Sequence, residues 1–148
     1  MRTSVSVTIN RPPEVVAAFL ADTRNTPKWQ KASGLVDIKA DPAGSFRVGT
    51  KFTEHRKMGG KTSTYVGEIV ALEPNKTWTI RDSVNKPPKF QGVFTLAPVS
   101  GGTRYTFDFD FKTPLLMALF TPLFKGMMRK SLQKDADTLK GLVETQGK

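Results

Sequence analysis

The chain has 148 residues, 23 Lys and Arg against 13 Asp and Glu, a formal charge of +10, and no cysteine. That length suits one domain over 1–148 whose core needs no metal or disulfide to hold it, while the lack of cysteine excludes disulfides, thiolate nucleophiles and Cys-based metal sites. The charge favours anionic partners such as nucleic acid, an acidic membrane surface or an acidic ligand, yet the lysines form no run and a solvated basic face is the plainer reading.

The opening "MRTSVSVTIN" has no apolar signal-peptide core, and no apolar run approaches the roughly 18 to 20 residues that cross a bilayer. A cytoplasmic protein is therefore expected, and the sequon at Asn75 carries no meaning there. Thr3 to Ile9 alternates and is β-branched, which predicts a strand. "NRPPEVVAAFLAD" places Pro12-Pro13 at a helix start, Glu14 in the first turn, and Val15, Val16, Phe19 and Leu20 at helical spacing, so Pro13 to Asp22 is predicted helical. A second short helix enters at Pro27, and "GLVDIKAD" returns to strand alternation.

Four strands follow, "TKFTEHRKM", "KTSTYVGEIVALE", "TWTIRDSV" and "KFQGVFTLA", with turns at Gly59-Gly60, Pro74-Asn75, Pro87-Pro88 and Ser100 to Gly102. A last strand, "TRYTFDFDFK", puts Tyr105, Phe107, Phe109 and Phe111 on one face and Thr106, Asp108 and Asp110 on the other, as in an antiparallel sheet covered on one side. From Leu115 to about Thr145 the pattern is helical. Leu116, Leu119, Phe120, Leu123, Phe124, Met127, Met128, Leu132, Leu139, Leu142 and Val143 form one broad stripe facing those aromatics, and Pro122 either bends this helix or restarts it. The sum is an α+β layer of one sheet against one helix.

This order, with "VTINRPPEVVAAFLADTRNTPKW", "VGEIVALEPNKTWTIR", "GVFTLAPVSGGTRYTFDFDF" and "MMRKSLQKDADTLKGLVE", resembles the polyketide cyclase/dehydrase-like branch of the START-related (SRPBCC) superfamily. The resemblance implies a helix-grip fold, a curved seven-stranded antiparallel sheet around a long C-terminal helix with two short helices after the first strand and an apolar cavity between sheet and helix. It implies ligand handling without implying a reaction, because similar proteins include lipid carriers, receptors and aromatase/cyclases.

Other chemistries fit poorly. "MGGKTS" ends like a P-loop, but His55 stands where the earlier glycine belongs and a strand follows it instead of a helix. His55 is the only histidine, so no metal site is expected, nor any cofactor. Nucleic acid is not expected either, since the aromatics of the last strand alternate with aspartates and face the helix. Pairing Met58 with Lys61 across Gly59-Gly60 sets Arg56 opposite Ser63, Glu54 opposite Tyr65 and Phe52 opposite Gly67, and turns His55 to the outer face. Glu54, Arg56, Tyr65 and Asp82 then share a face with Ile69, Trp78 and Ile80. They lie either at a wet rim or as polar handles in a cavity, and Arg56 should pair with Glu54 or Asp82.

The expected function is binding or transport of a small hydrophobic ligand, lipid, polyketide or aromatic, between sheet and helix. The candidate contacts are Trp29, Phe52, Tyr65, Trp78, Phe90, Phe94, Phe107, Phe109, Phe111, Leu116, Phe120, Phe124, Met127 and Met128, although the same aromatics could simply fill a core. The alternative is a polyketide cyclase/dehydratase-type enzyme with Glu54 as base, Arg56 holding an enolate and Tyr65 as proton donor. Weak association with acidic membrane surfaces is a further expectation, and the oligomeric state stays open.

Overall fold

The computed structural model describes residues 2–83, 89–112 and 121–146. Seven strands, β1 (Arg2–Ile9), β2 (Leu35–Asp41), β3 (Lys51–Met58), β4 (Lys61–Glu73), β5 (Thr77–Asp82), β6 (Lys89–Val99) and β7 (Gly102–Lys112), join in one sheet. Its order is β1-β7-β6-β5-β4-β3-β2, antiparallel throughout. Two short helices, α1 (Pro13–Ala21) and α2 (Thr26–Trp29), connect β1 to β2, and α3 (Thr121–Thr145) follows the sheet.

Local chemistry accounts for these elements. Pro13 is the first residue of α1 and Glu14 lies in its first turn, where the fixed φ of proline and a negative charge both suit the helix start. Gly59 and Gly60 both have positive φ, the conformation a two-residue hairpin demands. That turn sets Met58 opposite Lys61, with Arg56 opposite Ser63 and Glu54 opposite Tyr65, as the sequence predicts. His55 accordingly faces outward and meets Asp37 of β2.

Helix α3 closes one side of the sheet through its C-terminal half. Ala136, Leu139 and Val143 are buried with Val5, Ile9, Val16, Leu20, Leu96 and Tyr105 in the main core. As an edge strand, β1 would leave carbonyls unpaired. The Lys140 ammonium donates to the Thr8 carbonyl at 2.7 Å and the Gln133 amide to the Ser6 carbonyl at 3.2 Å. Glu144 accepts from the Asn10 amide at 2.8 Å and pairs with Lys140 at 2.6 Å.

The first part of the predicted helix, including Leu116, Leu119 and Phe120, lies outside the described residues, as do Pro87 and Pro88. Pro122 lies within the described α3, and the residues before Thr121 that would show whether it bends or restarts the helix are outside the described ones. The stripe expected along this helix is only partly buried: Leu139 and Val143 are inaccessible, but Leu123 is 76% and Met127 58% exposed. At 3.6 residues per turn Leu123 stands on the far side of the helix from Leu139 and looks to solvent, while the inner face of this half, with Phe124 and Met128, borders a cavity.

Candidate functional site

One wall of that cavity comes from strand alternation. On β6 every second residue from Phe90, through Gly92, to Phe94 faces inward, and on β7 so do Tyr105, Phe107, Phe109 and Phe111. Cross-strand pairing sets Phe94 opposite Phe107, Gly92 opposite Phe109 and Phe90 opposite Phe111. The rings run on in contact, with centroids 4.6 Å apart for Phe94 and Phe107, 5.6 Å for Phe107 and Phe109, and 5.8 Å for Phe109 and Phe111. Phe124 of α3 continues the series at 6.2 Å from Phe111. Tyr65 meets Phe90 edge-on at 6.0 Å. Gly92 makes room for this packing, because a Cβ there would come 2.7 Å from the Phe107 ring.

These side chains do not fill the space between sheet and helix. They line a cavity of about 400 Å³ closed by Phe124, Met127, Met128, Ser131, Leu132 and Asp135 of α3, a size in the range of small-molecule pockets. The remaining wall is the loop from Trp29 to Gly34. Gly34 has φ +90°, and a Cβ on it would fall 2.3 Å from the Lys57 carbonyl oxygen. Glycine there lets the Lys57 amide donate to the Gly34 carbonyl at 2.8 Å and holds the loop to β3.

Polar groups gather where this loop, β3 and α3 meet. The Arg56 guanidinium donates to Glu54 at 2.9 Å, to the Ser33 hydroxyl at 2.9 Å, to the Ser33 carbonyl at 3.4 Å, and to the Gln30 side-chain oxygen. The Arg56 and Glu54 side chains are only 18% and 24% exposed, so their pairing offsets desolvation that either charge would suffer alone. Asp135, 2% exposed, accepts from the backbone amides of Ala32 at 3.1 Å and Ser33 at 3.3 Å through Oδ1. Its Oδ2 has no partner among the described residues, and neither does the buried Trp29 indole N–H. Burial pushes the Asp135 carboxyl above its ordinary range, opposed in part by hydrogen bonds from Ser33 and Ala32 and by the Arg56 charge. Burial, then the nearby Asp135, push the Tyr105 hydroxyl up as well. The result is a mostly aromatic cavity with a hydrogen-bonding end, where an acceptor and a donor both lack partners.

Twelve of the candidate residues border this cavity: Trp29, Glu54, Arg56, Tyr65, Phe90, Phe94, Phe107, Phe109, Phe111, Phe124, Met127 and Met128. Phe52 and Trp78 do not. They border a smaller hollow of about 50 Å³ with Phe46, whose ring lies 6.1 Å from Phe52 and 5.4 Å from Trp78. Phe52 shares a face with Glu54 and Arg56 but stands nearer the β2–β3 loop, where Phe46 fills the space. Leu116 and Phe120 are outside the described residues. Arg56 takes Glu54 rather than Asp82, which accepts from the Phe90 amide at 3.0 Å. Among the described residues there is no group of three or more His, Cys, Asp or Glu placed to hold a metal ion.

The sequence reading overlooked Gln30, Ser33 and Asp135. Asp135 had left a signal, since it stands three residues after Leu132 and four before Leu139, a charged residue on the apolar stripe.

A seven-stranded antiparallel sheet, a long C-terminal helix and two short helices with a cavity enclosed between them define the helix-grip class of α+β proteins. The chain belongs to the family described as polyketide cyclase / dehydrase and lipid transport, whose model matches residues 1–144. Solved structures of the same fold include a Thermus thermophilus protein (TM-score 0.80, 13% identity, 100% of both chains covered). The Zhui aromatase/cyclase of a Streptomyces species is also similar (TM-score 0.77, 14% identity, 100% of this chain and 96% of that one). So is a START superfamily protein from Mycobacterium smegmatis (TM-score 0.76, 15% identity, 97% of each chain). No curated protein matches the chain in sequence. Among the described residues no helix is long and apolar enough to cross a membrane.

Proposed function

We propose that the protein binds one small, largely aromatic or lipid-like molecule between sheet and helix, with its apolar body against Phe94, Phe107, Phe109 and Phe111 and a hydroxyl at the Asp135 end. The observation that carries this reading is a cavity of about 400 Å³ with an aromatic wall and two buried polar atoms without partners, Asp135 Oδ2 and Trp29 Nε1. A hydroxyl both donates and accepts, so it can serve either the orphaned acceptor or the orphaned donor. Leaving such groups unpaired costs about 1–3 kcal/mol each, which is the margin by which a hydroxylated ligand gains over an apolar one of the same shape.

The test compares 2-naphthol with 2-methoxynaphthalene by thermal shift, alongside native mass spectrometry of protein purified from cells. The naphthol should stabilise the protein more than its methyl ether, and Asp135→Asn should reduce that difference. If neither compound nor a lipid panel shifts the melting transition, and nothing co-purifies, the reading falls.

One observation favours an enzymatic reading as the second choice: Glu54, Arg56 and Tyr65 all border the cavity. Glu54 is engaged by Arg56, so service as a base would require that pair to loosen as substrate enters. A poly-β-ketone thioester analogue is the substrate to try. Turnover that disappears in Glu54→Gln, with folding intact, supports the enzyme; absence of turnover in the unaltered protein rejects it.

A further inference from the structure

The mouth of the cavity can be located from residues that line it and are also open to solvent. Met58, at the end of β3, is 40% exposed and Met127 of α3 is 58% exposed, and both border the cavity with Gly59. The opening therefore lies between the β3–β4 hairpin and the N-terminal half of α3. Leu123, 76% exposed, stands one helical turn before Met127, and the same spacing sets Lys130 and Lys134 on that outer face. Leu139 and Val143 mark the opposite, buried face.

The two segments that border this opening carry charge of one sign. Residues 55–67 of the hairpin and 121–134 of α3 contain no Asp or Glu. Lys57, Lys61, Lys125, Arg129, Lys130 and Lys134 in these two runs are all exposed. A cationic border around protruding Leu and Met side chains is the composition that settles on an anionic bilayer, where the apolar tips enter the acyl boundary and the cations meet headgroup phosphates. Nucleic acid would reward the cations alone and leave Leu123 and Met127 in water.

We propose that the cavity mouth, formed by the β3–β4 hairpin and the outer face of α3 from Leu123 to Lys134, docks on an anionic lipid bilayer. Docking turns the opening toward the lipid, so an apolar molecule passes between bilayer and cavity without crossing water. The docking surface is defined by charge and exposure alone and stands whether or not the cavity holds the ligand proposed above.

The experiment is sedimentation of the full chain with vesicles of phosphatidylcholine, either pure or mixed with phosphatidylglycerol. Binding is expected only with the mixed vesicles, and it should weaken as salt rises. Lys57→Glu/Lys61→Glu at the mouth should weaken it by about tenfold or more, while Lys51→Glu/Lys76→Glu, at the opposite end of the sheet and with the same change in net charge, should weaken it far less. Leu123→Trp should be quenched by brominated lipid in mixed vesicles, whereas Val48→Trp, exposed in the β2–β3 loop at the opposite end of the sheet, should not. These positions are exposed, so the variants should melt near the unaltered protein. Equal losses for the two charge variants would reduce the binding to diffuse adsorption and overturn the proposal. So would unquenched Leu123→Trp, no binding to mixed vesicles, or mouth-dependent binding to DNA or an acidic protein without vesicle binding.

Discussion

Asp135 in the middle of α3 accepts a hydrogen bond at 3.1 Å from the backbone amide of Ala32, 103 positions earlier in the chain. This bond and its neighbour from Ser33 tie the helix to the loop that forms the polar wall of the cavity. Asp135→Leu leaves both amides without their acceptor. The expected cost is about 1–2 kcal/mol, since the exposed Ala32 amide regains water. Urea denaturation measures it, and the loop around Ala32 should lose protection from proteolysis.

The same carboxyl gives stability a pH dependence whose sign follows from its raised pKa. Between the ordinary carboxylate value and the higher folded one, the folded state holds a proton that the unfolded state has released. Stability from this group therefore declines as pH rises through that window, and the full penalty persists above it. Asn accepts the same two amide hydrogen bonds without a charge. Asp135→Asn should thus show a shallower decline than the unaltered protein, with the stability difference moving in the variant's favour as pH rises above the ordinary carboxylate value. Parallel curves for the two proteins would contradict this.

Arg56 satisfies three neighbours at once, Glu54, Ser33 and Gln30. Arg56→Met should cost about 2–3 kcal/mol, somewhat below the toll of breaking a fully buried pair, because both side chains keep some contact with water. Glu54→Gln retains an acceptor for the guanidinium and should cost about 1 kcal/mol. Denaturant midpoints for the two variants check the order.

Gly92→Ala tests the aromatic wall. The added methyl would sit 2.7 Å from the Phe107 ring, and the open space beside that ring is the cavity. The ring is expected to tilt into it, with a stability loss of about 1 kcal/mol. Binding of 2-naphthol should suffer more than folding does. A variant that binds normally would mean that the ring yields in another direction.

The two halves of α3 should exchange amide hydrogens at different rates. Amides from 123 to 130 belong to a half with exposed Leu123 and Met127, while those from 136 to 143 belong to the half with buried Leu139 and Val143. The first set is expected to exchange faster by about tenfold or more, since local opening costs less where fewer apolar contacts are lost.

Much of this architecture was legible in the sequence. Two glycines fixed a tight turn, no bulge interrupts the pairing of β3 with β4, and the register counted outward from Met58 and Lys61 placed Glu54 against Tyr65. Alternation in β7 identified the aromatic wall because a strand has only two faces. Periodicity could not tell how deep each face lies. A broad apolar count puts Leu123 in one stripe with Leu139, although 3.6 residues per turn set them on opposite sides of the helix, one exposed and the other buried. Phe52 and Trp78 read as cavity residues because the ring that covers them, Phe46, comes from a loop with no pattern to announce it. The contact of Asp135 with Ala32 joins segments about a hundred residues apart, and only the folded chain brings them together.

The hydrogen bonds described between α3 and other elements all involve Gln133 or residues beyond it. Before that point the contact with the sheet is apolar, as between Phe124 and Phe111. Hydrogen bonds demand direction, whereas apolar contact asks only for covered area. Selectivity should therefore be graded along the length of a guest molecule. At the Asp135 end one misplaced atom forfeits a bond, but at the Phe124 end the helix can reseat over a longer, shorter or branched tail at small cost. The proposed binding would then discriminate by head and forgive by tail, and a series of compounds sharing one hydroxylated end should bind within a narrow range of affinities however their other ends differ.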